Sequence, residues 1–488
     1  MKKIIIIGGG LGGLTAGALL SKQGHQVTLL EQHNVVGGSA TTFRRRGGFT
    51  VEVGLHEIDN PFDGGEKERI FRTLGVFDHI TFIKPDEFFR IKTGKSDFVM
   101  PDGIDKAKDA LIQKFPKEKS GIEAYFSSIT AVAQDIEKLS TIKFWQKMLF
   151  PFLFRSVFKY RKSTLKEVLD SIIDDEELKL ILSANTPYYH DKADDFSFLY
   201  HSIAQYSYYK GGGWYIKGGS QLLSNYLASI INDHGGEVIT KANVTEILHR
   251  SGKVTGVHYE KKGMRFLLRS DIVISNASPM QTYRMADIPY EMKRSLGISL
   301  LTLYLGFSKN LKSVYGKRAY SSFYYRGANS PADYNLTLAK DITNRAAVFV
   351  DYSQIDSGLT SPEKSLGAVC TVDYLRDWEG LDEEEYKAKK ASVAEAYIKL
   401  LELDYPGIGE LIEYAEVGTA RTVQRYLKTP NGTAYGFAPT ASQFFREPEY
   451  QSDKLEHLYS VGAWVIGGGF TPAILSGSMV AKAIGNTS

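Results

Sequence analysis

The sequence contains one cysteine, Cys370, among 488 residues. A single thiol excludes an intrachain disulfide, a zinc knuckle and a Cys-x-x-Cys redox pair, and with them the disulfide reductases. An excess of charge of one sign is also missing, because 59 Lys and Arg residues face 56 Asp and Glu residues for a net charge of +3. That balance gives no basis for nucleic-acid binding. The sequence shows neither metal-spaced histidines nor a Ser/His/Asp signature, so we expect no metal centre and no hydrolytic triad.

The chain opens with MKKIIIIGGGLGGLTAGALL, which fits two different functions. Two lysines before a long uncharged run are typical of an export signal, whereas four isoleucines followed by glycines are typical of a strand that enters a phosphate-binding turn. The glycines are Gly8, Gly9, Gly10, Gly12 and Gly13. Because such a cluster breaks the helix that an export signal needs, we interpret the run as a nucleotide-binding turn.

The opening residues predict a strand over residues 3–7, then a turn, then a helix over residues 11–23. In such a unit the first glycine permits the tight turn, the second lets the backbone approach a pyrophosphate, and the third lets the helix pack against the strand. The predicted nucleotide contacts here are Gly8, Gly10, Leu11, Gly12 and Gly13.

The second predicted strand ends at Glu31, about 20 residues after the glycines, where a carboxylate can accept hydrogen bonds from an adenosine ribose. A glutamate at a strand end can equally be a solvated residue, but the preceding glycines favour the ribose role. The sequence NVVGGSATTF then supplies Gly37 and Gly38, which we expect to bring a second backbone segment against the diphosphate. Ser39 and Thr41 are the expected hydroxyl donors.

This order of strand, glycine turn, helix, strand, acidic residue and Gly-Gly pair resembles the flavoproteins with two dinucleotide-binding domains, a group that includes amine oxidases and phytoene desaturases. The resemblance implies that the nucleotide is FAD. It also implies that the backbone of Val244, in the sequence KANVTEI, pairs with the adenine base. With the export signal rejected, we expect the protein to remain in the cytoplasm.

Two later stretches return to the same nucleotide-binding domain. In the first, Ser220 is a candidate N-cap for an amphipathic helix that reaches Asp233, and hairpin turns follow at RSGK and EKKG. In the second, near the C-terminus, three glycines and Pro472 interrupt an uncharged run and argue against a membrane-spanning helix. This run predicts a strand, a glycine turn and a helix with Thr471 as its N-cap.

The amino end of this last helix carries unpaired N–H groups and the positive end of the helix dipole. We expect it to face the flavin at the N1–C2=O edge, where negative charge accumulates on reduction. The expected contacts in this segment are Gly462, Gly469, Phe470 and Thr471. The sequence has no further glycine fingerprint, so we expect electrons to be exchanged with oxygen, a quinone or a loosely bound donor rather than through a second NAD(P)H domain.

The motifs predict an α/β protein with a Rossmann-type FAD-binding domain. That domain is discontinuous and comprises residues 1–65, 206–285 and 456–488. Residues 66–205 and 286–455 remain for a discontinuous α+β substrate domain. Within it, residues 141–162 combine Phe, Trp, Leu and Met with only positive charge. That composition suits peripheral contact with the inner, anionic face of the cytoplasmic membrane; an apolar packing face between helices is the alternative.

Three motifs narrow the resemblance to the phytoene desaturases, the carotenoid isomerases and especially the retinol saturases. They are GGFTVEVGLHEI, VGTARTVQRYLKTPNGTAYGF and VGAWVIGGGFTPAILSGSMVA. In those families an acidic residue, a glycine and a histidine of the first motif stand near the flavin, and here they are Glu52, Gly54 and His56. Glu52 replaces the aspartate that is usual there. The second motif contains Tyr426 and Tyr435, two candidates for lining the substrate channel.

The resemblance implies an FAD-dependent oxidoreductase that desaturates, saturates or isomerises carbon–carbon bonds of a long apolar polyene, carotenoid-like or retinoid-like, by hydride transfer with flavin N5. A proton must also move to or from the adjacent carbon. His56 is the candidate proton-handling residue, with a structural histidine beside the flavin as the alternative. The alternative functions are a flavin amine oxidase and a non-catalytic lipid carrier on the same fold.

Overall fold

The structure, a computed structural model, describes residues 1–139 and 153–485. The strands are β1 (Lys3–Ile7), β2 (Gln26–Leu30), β3 (Thr42–Arg45), β4 (Phe49–Glu52), β5 (Ile58–Asp59), β6 (Phe82–Ile83), β7 (Glu87–Lys92), β8 (Asp97–Pro101), β9 (Gly213–Ile216), β10 (Glu237–Ile239), β11 (Asn243–Arg250), β12 (Lys253–Lys261), β13 (Met264–Arg269), β14 (Ile272–Ser275), β15 (Ser299–Phe307), β16 (Ser321–Tyr324), β17 (Ala347–Asp351), β18 (Ser365–Asp373), β19 (Ile412–Gly418) and β20 (Leu458–Ser460). The helices are α1 (Leu11–Lys22), α2 (Glu66–Leu74), α3 (Val76–His79), α4 (Ile104–Lys114), α5 (Lys119–Leu139), α6 (Arg155–Tyr160), α7 (Leu165–Ile172), α8 (Glu176–Leu182), α9 (Phe198–Gly211), α10 (Gln221–Asp233), α11 (Pro279–Met285), α12 (Leu311–Tyr315), α13 (Pro331–Leu338), α14 (Glu383–Leu401), α15 (Ala420–Leu427) and α16 (Phe470–Gly485).

A five-stranded parallel sheet with the order β10-β2-β1-β14-β20 forms the centre of the first domain. Its middle strand, β1, contains four consecutive buried isoleucines, as expected of a parallel strand that is covered on both faces. The register pairs Ile7 with Leu30 on one side and with Ser275 on the other. The carboxyl ends of these strands therefore lie at one edge of the sheet, and the glycine turn and Glu31 follow there directly after β1 and β2.

The predicted α/β class and its Rossmann-type arrangement are confirmed. The strands of the parallel sheet come from three separate stretches of the chain. The predicted domain boundary at residue 206 falls inside α9, however, which runs without interruption to Gly211. The division into two domains with these bounds remains a prediction.

The antiparallel strands β11, β12 and β13 form a meander joined by two tight turns. The four turn residues Ser251, Gly252, Lys262 and Gly263 all have positive φ, which is the geometry of a type I′ turn. Both predicted hairpin turns are confirmed, as is the predicted helix that ends at Asp233.

A seven-stranded mixed sheet, in the order β19-β15-β18-β17-β16-β7-β8, forms the centre of the second domain. Alternate residues of β15 face opposite sides of this sheet. Leu301, Leu303 and Leu305 belong to a cluster with Trp378 and the apolar residues of α14. Tyr304 faces the other way, and its hydroxyl reaches the loop that follows β4. This second face of the sheet therefore borders the FAD-binding domain.

Among residues 1–139 and 153–485, no helix combines the length and the apolar character needed to cross a membrane. Residues 141–162 are the segment predicted to contact a membrane. Of these, residues 141–152 lie outside the described residues. In the part that is described, Leu153 is 43% exposed and Phe158 is 38% exposed.

Helices α1 and α16 contact each other through their backbones. A Cβ atom on Gly477 of α16 would lie 2.5 Å from the carbonyl oxygen of Gly12 and 2.9 Å from the amide nitrogen of Ala16. A Cβ atom on Gly12 would lie 2.5 Å from the amide nitrogen of Gly462. Each helix follows a strand of the same parallel sheet, so both amino ends lie at its carboxyl edge. The two glycines set the distance between those ends.

Gly477→Ala should therefore lower the Tm, because the added methyl group meets backbone atoms that cannot rotate away, and overpacking of this kind costs roughly 1–3 kcal/mol. Gly485→Ala at the end of the same helix is the control, since its Cβ would approach only the Gln23 side chain, at 3.4 Å. Thermal unfolding followed by circular dichroism compares the two. An unchanged Tm for Gly477→Ala would contradict the close backbone contact.

Candidate functional site

The glycine turn after β1 has the geometry of a nucleotide-binding turn. Gly8 has a φ of +93°, and its amide donates to the Leu30 carbonyl at 2.8 Å. A Cβ atom on Gly13 would lie 2.4 Å from the Gly8 carbonyl oxygen, so the helix packs directly on the turn. No side chain caps the amino end of α1. Its first N–H groups are therefore left for an anionic ligand.

Glu31 is buried at the carboxyl end of β2 and is fixed by two backbone amides. Its Oε2 accepts from the Gly9 amide at 2.7 Å, and its Oε1 accepts from the His33 amide at 2.8 Å. Beside it, the Ala242 amide donates to the Glu31 carbonyl at 2.8 Å, which brings the start of β11 and Val244 to this end of the site. A carboxylate held in this way presents its remaining lone pairs to a ligand at the sheet edge.

The second glycine pair lies against the first. The Gly37 amide donates to the Gly9 carbonyl at 2.7 Å, and Gly38 follows with a φ of +60°. Ser39 is exposed beside them. The Thr41 hydroxyl donates to the Gln221 side chain, and its role as a donor to the diphosphate remains a prediction.

The C-terminal glycine turn closes the same edge. The Gly462 amide donates to the Ser476 hydroxyl at 2.7 Å, and Gly469 has a φ of +105°. Helix α16 begins at Phe470, one residue before the predicted N-cap. Thr471 therefore lies in the first turn of the helix, and its hydroxyl donates to Asp59 instead of capping the backbone.

Asp59 connects this helix to a buried lysine. Its carboxylate accepts from Thr471, from Ser207 and from the ammonium of Lys67, the last at 2.7 Å. The Lys67 side chain is 1% exposed. Burial alone would raise the pKa of Asp59, but Lys67 and the hydroxyl donors outweigh burial and hold that pKa below its usual value. The first turn of α16 thus stands next to a buried ion pair that the sequence motifs did not indicate.

The loop of residues 53–57 is held by phenol groups. Four tyrosine hydroxyls each donate to one backbone carbonyl of this loop: Tyr304 to that of Val53 (3.2 Å), Tyr352 to that of Leu55 (2.9 Å), Tyr320 to that of His56 (2.7 Å) and Tyr208 to that of Glu57 (3.3 Å). Burial raises the pKa of all four phenols, so they remain protonated donors. This tyrosine-held loop carries the histidine of the first motif.

His56 and Glu52 have different environments in this region. His56 Nδ1 is 2.8 Å from the Tyr188 hydroxyl, and burial lowers the pKa of His56 to about 4, so its imidazole is neutral. Glu52 accepts from the Ser220 amide at 2.8 Å and from the Ser220 hydroxyl at 2.6 Å. Burial raises the pKa of Glu52 to about 7 against these hydrogen bonds. Ser220 thus stands at the start of α10 but bonds to Glu52 rather than capping the helix.

A cavity lies between the second face of the seven-stranded sheet and the turn Thr186–Tyr188. We call it the aromatic chamber, and its walls include Pro187, Tyr188, Leu300, Phe323, Val348 and Cys370. Its other hydroxyls are bound within the protein, since Tyr325 donates to the Ala184 carbonyl and Thr371 to the Ala346 carbonyl, both at 2.7 Å. Burial raises the pKa of Cys370 to about 12, which keeps the thiol neutral. The described walls are therefore uncharged.

The two candidate channel tyrosines lie in different places. Tyr435 packs against the bare backbone of Gly468, because a Cβ there would lie 2.4 Å from the Tyr435 Cβ. Tyr426 is 51% exposed, and its carbonyl accepts from His33 Nε2 at 2.7 Å. The prediction that Tyr426 lines an interior channel is wrong, because α15 places it over the residues that follow Glu31.

One group of potential metal ligands occurs in the described part of the chain. His190, Asp191 and Asp195 offer atoms within 4.8 Å of one another. His190 Nε2 is 2.8 Å from Asp195 Oδ1, and Asp191 accepts from the Tyr374 hydroxyl at 2.6 Å. His190 Nδ1 is buried without a hydrogen-bond partner, whereas a metal-bound histidine normally anchors that nitrogen. We interpret the group as a hydrogen-bonded cluster.

Comparison with known proteins gives one family and several relatives. Residues 11–485 match the family described as flavin containing amine oxidoreductase. The chain belongs to this family. An all-trans-retinol 13,14-reductase from Danio rerio is 26% identical to it, over 98% of this chain and 85% of the relative. A prolycopene isomerase from Arabidopsis thaliana is 27% identical, over 98% of this chain and 82% of the relative.

Solved structures share the fold of this protein. Cyclohexylamine oxidase from Brevibacterium oxydans IH-35A has a TM-score of 0.65 at 16% identity and covers 100% of this chain and 99% of its own. An oxidoreductase from Methanosarcina mazei has a TM-score of 0.64 at 18% identity and covers 98% of this chain and 100% of its own.

The protein is a flavin-dependent oxidoreductase, and its cofactor is FAD. The residues present fit that group: an uncapped helix end suits a diphosphate, the Glu31 carboxylate suits a ribose, and the amino end of α16 suits an electron-rich ring edge. The residues that would hold it are Gly8, Gly10, Leu11, Gly12, Gly13, Glu31, Gly37, Gly38, Ser39, Val244, Gly462, Gly469 and Phe470. Apart from Thr41 and Thr471, these are the predicted contacts, and they remain predictions at the level of single atoms.

Glu31→Gln should weaken FAD binding about 10- to 100-fold, because an amide has one acceptor oxygen for the two backbone donors and turns an N–H₂ group towards one of them. Glu246→Gln is a matched control, since Glu246 lies on β11 and pairs at the surface with His258 and Arg265. Fluorescence titration of the flavin-stripped protein with FAD gives both values of Kd. Equal values would remove Glu31 from the nucleotide site.

Proposed function

We propose that the protein desaturates, saturates or isomerises carbon–carbon bonds of a long apolar polyene, carotenoid-like or retinoid-like. The observation that carries this proposal is the match, over 98% of this chain, to an all-trans-retinol 13,14-reductase and to a prolycopene isomerase. The aromatic chamber agrees with an apolar substrate, because its described walls present aromatic and aliphatic side chains and no charged group; its free volume is only about 10 Å³, so these walls must move apart to admit a chain. A polyene has no polar groups along its conjugated chain, so it loses no hydrogen bonds when it enters such a space. Bound FAD supplies hydride transfer at N5.

The curated relatives support the same substrate class. Their names state that one acts on all-trans-retinol and the other on prolycopene, and both matches span nearly the whole of this chain. Both substrates are conjugated isoprenoids. The amine oxidase alternative is less well supported, because a protonated amine that leaves water needs a paired carboxylate, and none is among the described chamber walls. The lipid-carrier alternative does not explain the complete nucleotide cradle.

His56 contributes to this function mainly by position. Its neutral imidazole has one donor and one acceptor nitrogen, and Nδ1 lies 2.8 Å from the Tyr188 hydroxyl. Tyr188 in turn contacts Phe323 edge to face, with 5.6 Å between ring centroids. The tyrosine-held loop thus fixes one wall of the aromatic chamber.

We expect the anaerobically reduced holoprotein to be re-oxidised when phytoene, lycopene or retinol is added, or the oxidised flavin to be bleached by the same compounds. Leu300→Gln should slow this response at least about 10-fold, because an unpaired amide in the chamber costs roughly 1–3 kcal/mol. Leu267→Gln is the control, since Leu267 is exposed on β13. Visible absorption follows the flavin, and chromatography of the polyene detects isomerisation without net redox change.

Two outcomes would contradict the polyene proposal. The first is a bound flavin that ignores every polyene in both redox states but responds to simple amines. The second is an equal response of the Leu300→Gln and Leu267→Gln variants, which would show that the substrate does not enter the aromatic chamber.

We also infer peripheral contact with the inner face of the cytoplasmic membrane, from which an apolar polyene would enter. The described end of the predicted contact segment supports this, because Leu153 and Phe158 are exposed beside Lys159, Arg161 and other cations. The Arg161 guanidinium lies 3.8 Å from the centre of the Phe158 ring. Apolar side chains among cations are typical of contact with anionic lipid.

Phe158→Ser should lower co-sedimentation of the protein with vesicles that contain phosphatidylglycerol, because the variant lacks the aromatic ring that would insert into the lipid. Leu403→Ser removes a more exposed apolar residue (69%, against 38% for Phe158) just after α14 and should have no effect. Vesicles of phosphatidylcholine alone test the electrostatic part. Equal vesicle binding by the two variants would contradict a membrane contact at Phe158.

A further inference from the structure

The three glycines Gly211, Gly212 and Gly213, between α9 and β9, have no part in the nucleotide site. At each of them, a polar side chain from another part of the chain occupies the space where a Cβ atom would lie. A Cβ on Gly213 would lie 2.2 Å from Glu57 Oε2, and a Cβ on Gly212 would lie 2.2 Å from Lys84 Cε and 2.8 Å from Asp102 Oδ1. The bare backbone therefore holds two carboxyl groups beside consecutive residues.

Both carboxyl groups contain an oxygen that the fold leaves without a partner. Glu57 Oε1 and Asp102 Oδ1 are buried and accept no hydrogen bond within the described residues. Buried polar atoms without partners are rare, and they need an explanation such as a bound water or a chemical role. Burial, together with the charges of Glu87 and Asp102, raises the pKa of Glu57 to about 8. At neutral pH the Glu57 carboxyl group therefore holds a proton.

Glu57 lies between the interior and the surface. On the inner side it follows His56, whose ring contacts Tyr188 of the aromatic chamber, and its own carbonyl accepts from Tyr208. On the outer side Asp102 Oδ2 pairs with the Lys84 ammonium at 2.6 Å, and the Lys84 side chain is 33% exposed. The remaining acidic neighbour, Glu87, is fixed by the Tyr320 amide at 2.6 Å. Glu57 and Asp102, which lie beside the consecutive residues Gly213 and Gly212, therefore stand between the tyrosine-held loop and the partly exposed Lys84.

We propose that Glu57 holds the proton of the reaction and exchanges it with solvent through Asp102. The inference rests on the proposed function. Saturation of a C=C bond forms two C–H bonds, one from the hydride of reduced flavin and one from a proton. The flavin is oxidised, the bond is reduced, and Glu57 becomes a carboxylate that regains a proton from water by way of Asp102. Desaturation runs the same transfers in reverse, and Glu57 accepts the proton.

The first test reads protonation directly, in the holoprotein and without turnover. The infrared difference spectrum of wild type minus Glu57→Gln at pH 7 should show the carbonyl band of a protonated carboxyl group that shifts in D₂O and disappears above about pH 8; the subtraction removes the contribution of Glu52, whose pKa is about 7. Asp105→Asn, which changes an 88% exposed residue in the first turn of α4, should retain the band. A difference spectrum without the band would overturn the proposal.

The second test uses reduced holoprotein and the polyene that the wild type accepts. Glu57→Gln should slow the reaction about 100-fold, which is typical for loss of a general acid, with KM unchanged and the pH dependence lost. Asp102→Asn should slow deuterium uptake from D₂O, whereas Asp105→Asn should not. An active wild type with an unaffected Glu57→Gln variant would overturn the role of Glu57 alone. A wild type that shows the infrared band but ignores every polyene would overturn the proposed function, and the proton role with it.

Discussion

The contact between α1 and α16 is the constraint on which the site depends. Two helices meet where neither has a side chain, at Gly12 and Gly477, so the amino ends of both helices are fixed at one edge of the parallel sheet. A dinucleotide cofactor is long, and its diphosphate and its ring need separate positive sites at a set spacing. The backbone contact supplies that spacing. Glu31 and the second glycine pair then fill the region around the first helix end.

Local patterns made the nucleotide domain predictable. Four isoleucines, a glycine turn and two type I′ dipeptides each favour one conformation, and β1, α1 and the meander follow from them. Two features of the site depend on long-range contacts and therefore have no local signal in the sequence. They are the distance of Tyr426 from the interior and the ion pair between Asp59 and Lys67. The boundary expected at residue 206 lies inside α9, whose sequence mixes apolar and polar residues without a polar stripe, so composition does not mark the end of this helix.

The many tyrosines acquire a common purpose in the second domain. A phenol offers an apolar ring and one donor, so it can form part of a wall on one side and hold a backbone carbonyl on the other. The tyrosine-held loop uses four such groups, drawn from α9 and from strands or turns of the seven-stranded sheet. The loop is thereby fixed to the substrate domain although it follows β4 of the nucleotide domain. The position of His56 depends on both domains.

The order of strands along the chain limits when the cofactor site can exist during synthesis. Strand β20 and helix α16 come after every other described element in chain order, yet β20 completes the parallel sheet and α16 supplies one of its two helix amino ends. The ribosome therefore synthesises all of the earlier described strands and helices before the cradle can be complete. A nonsense mutation just before Leu458 would leave every earlier glycine motif in place and still yield a chain without the second helix end.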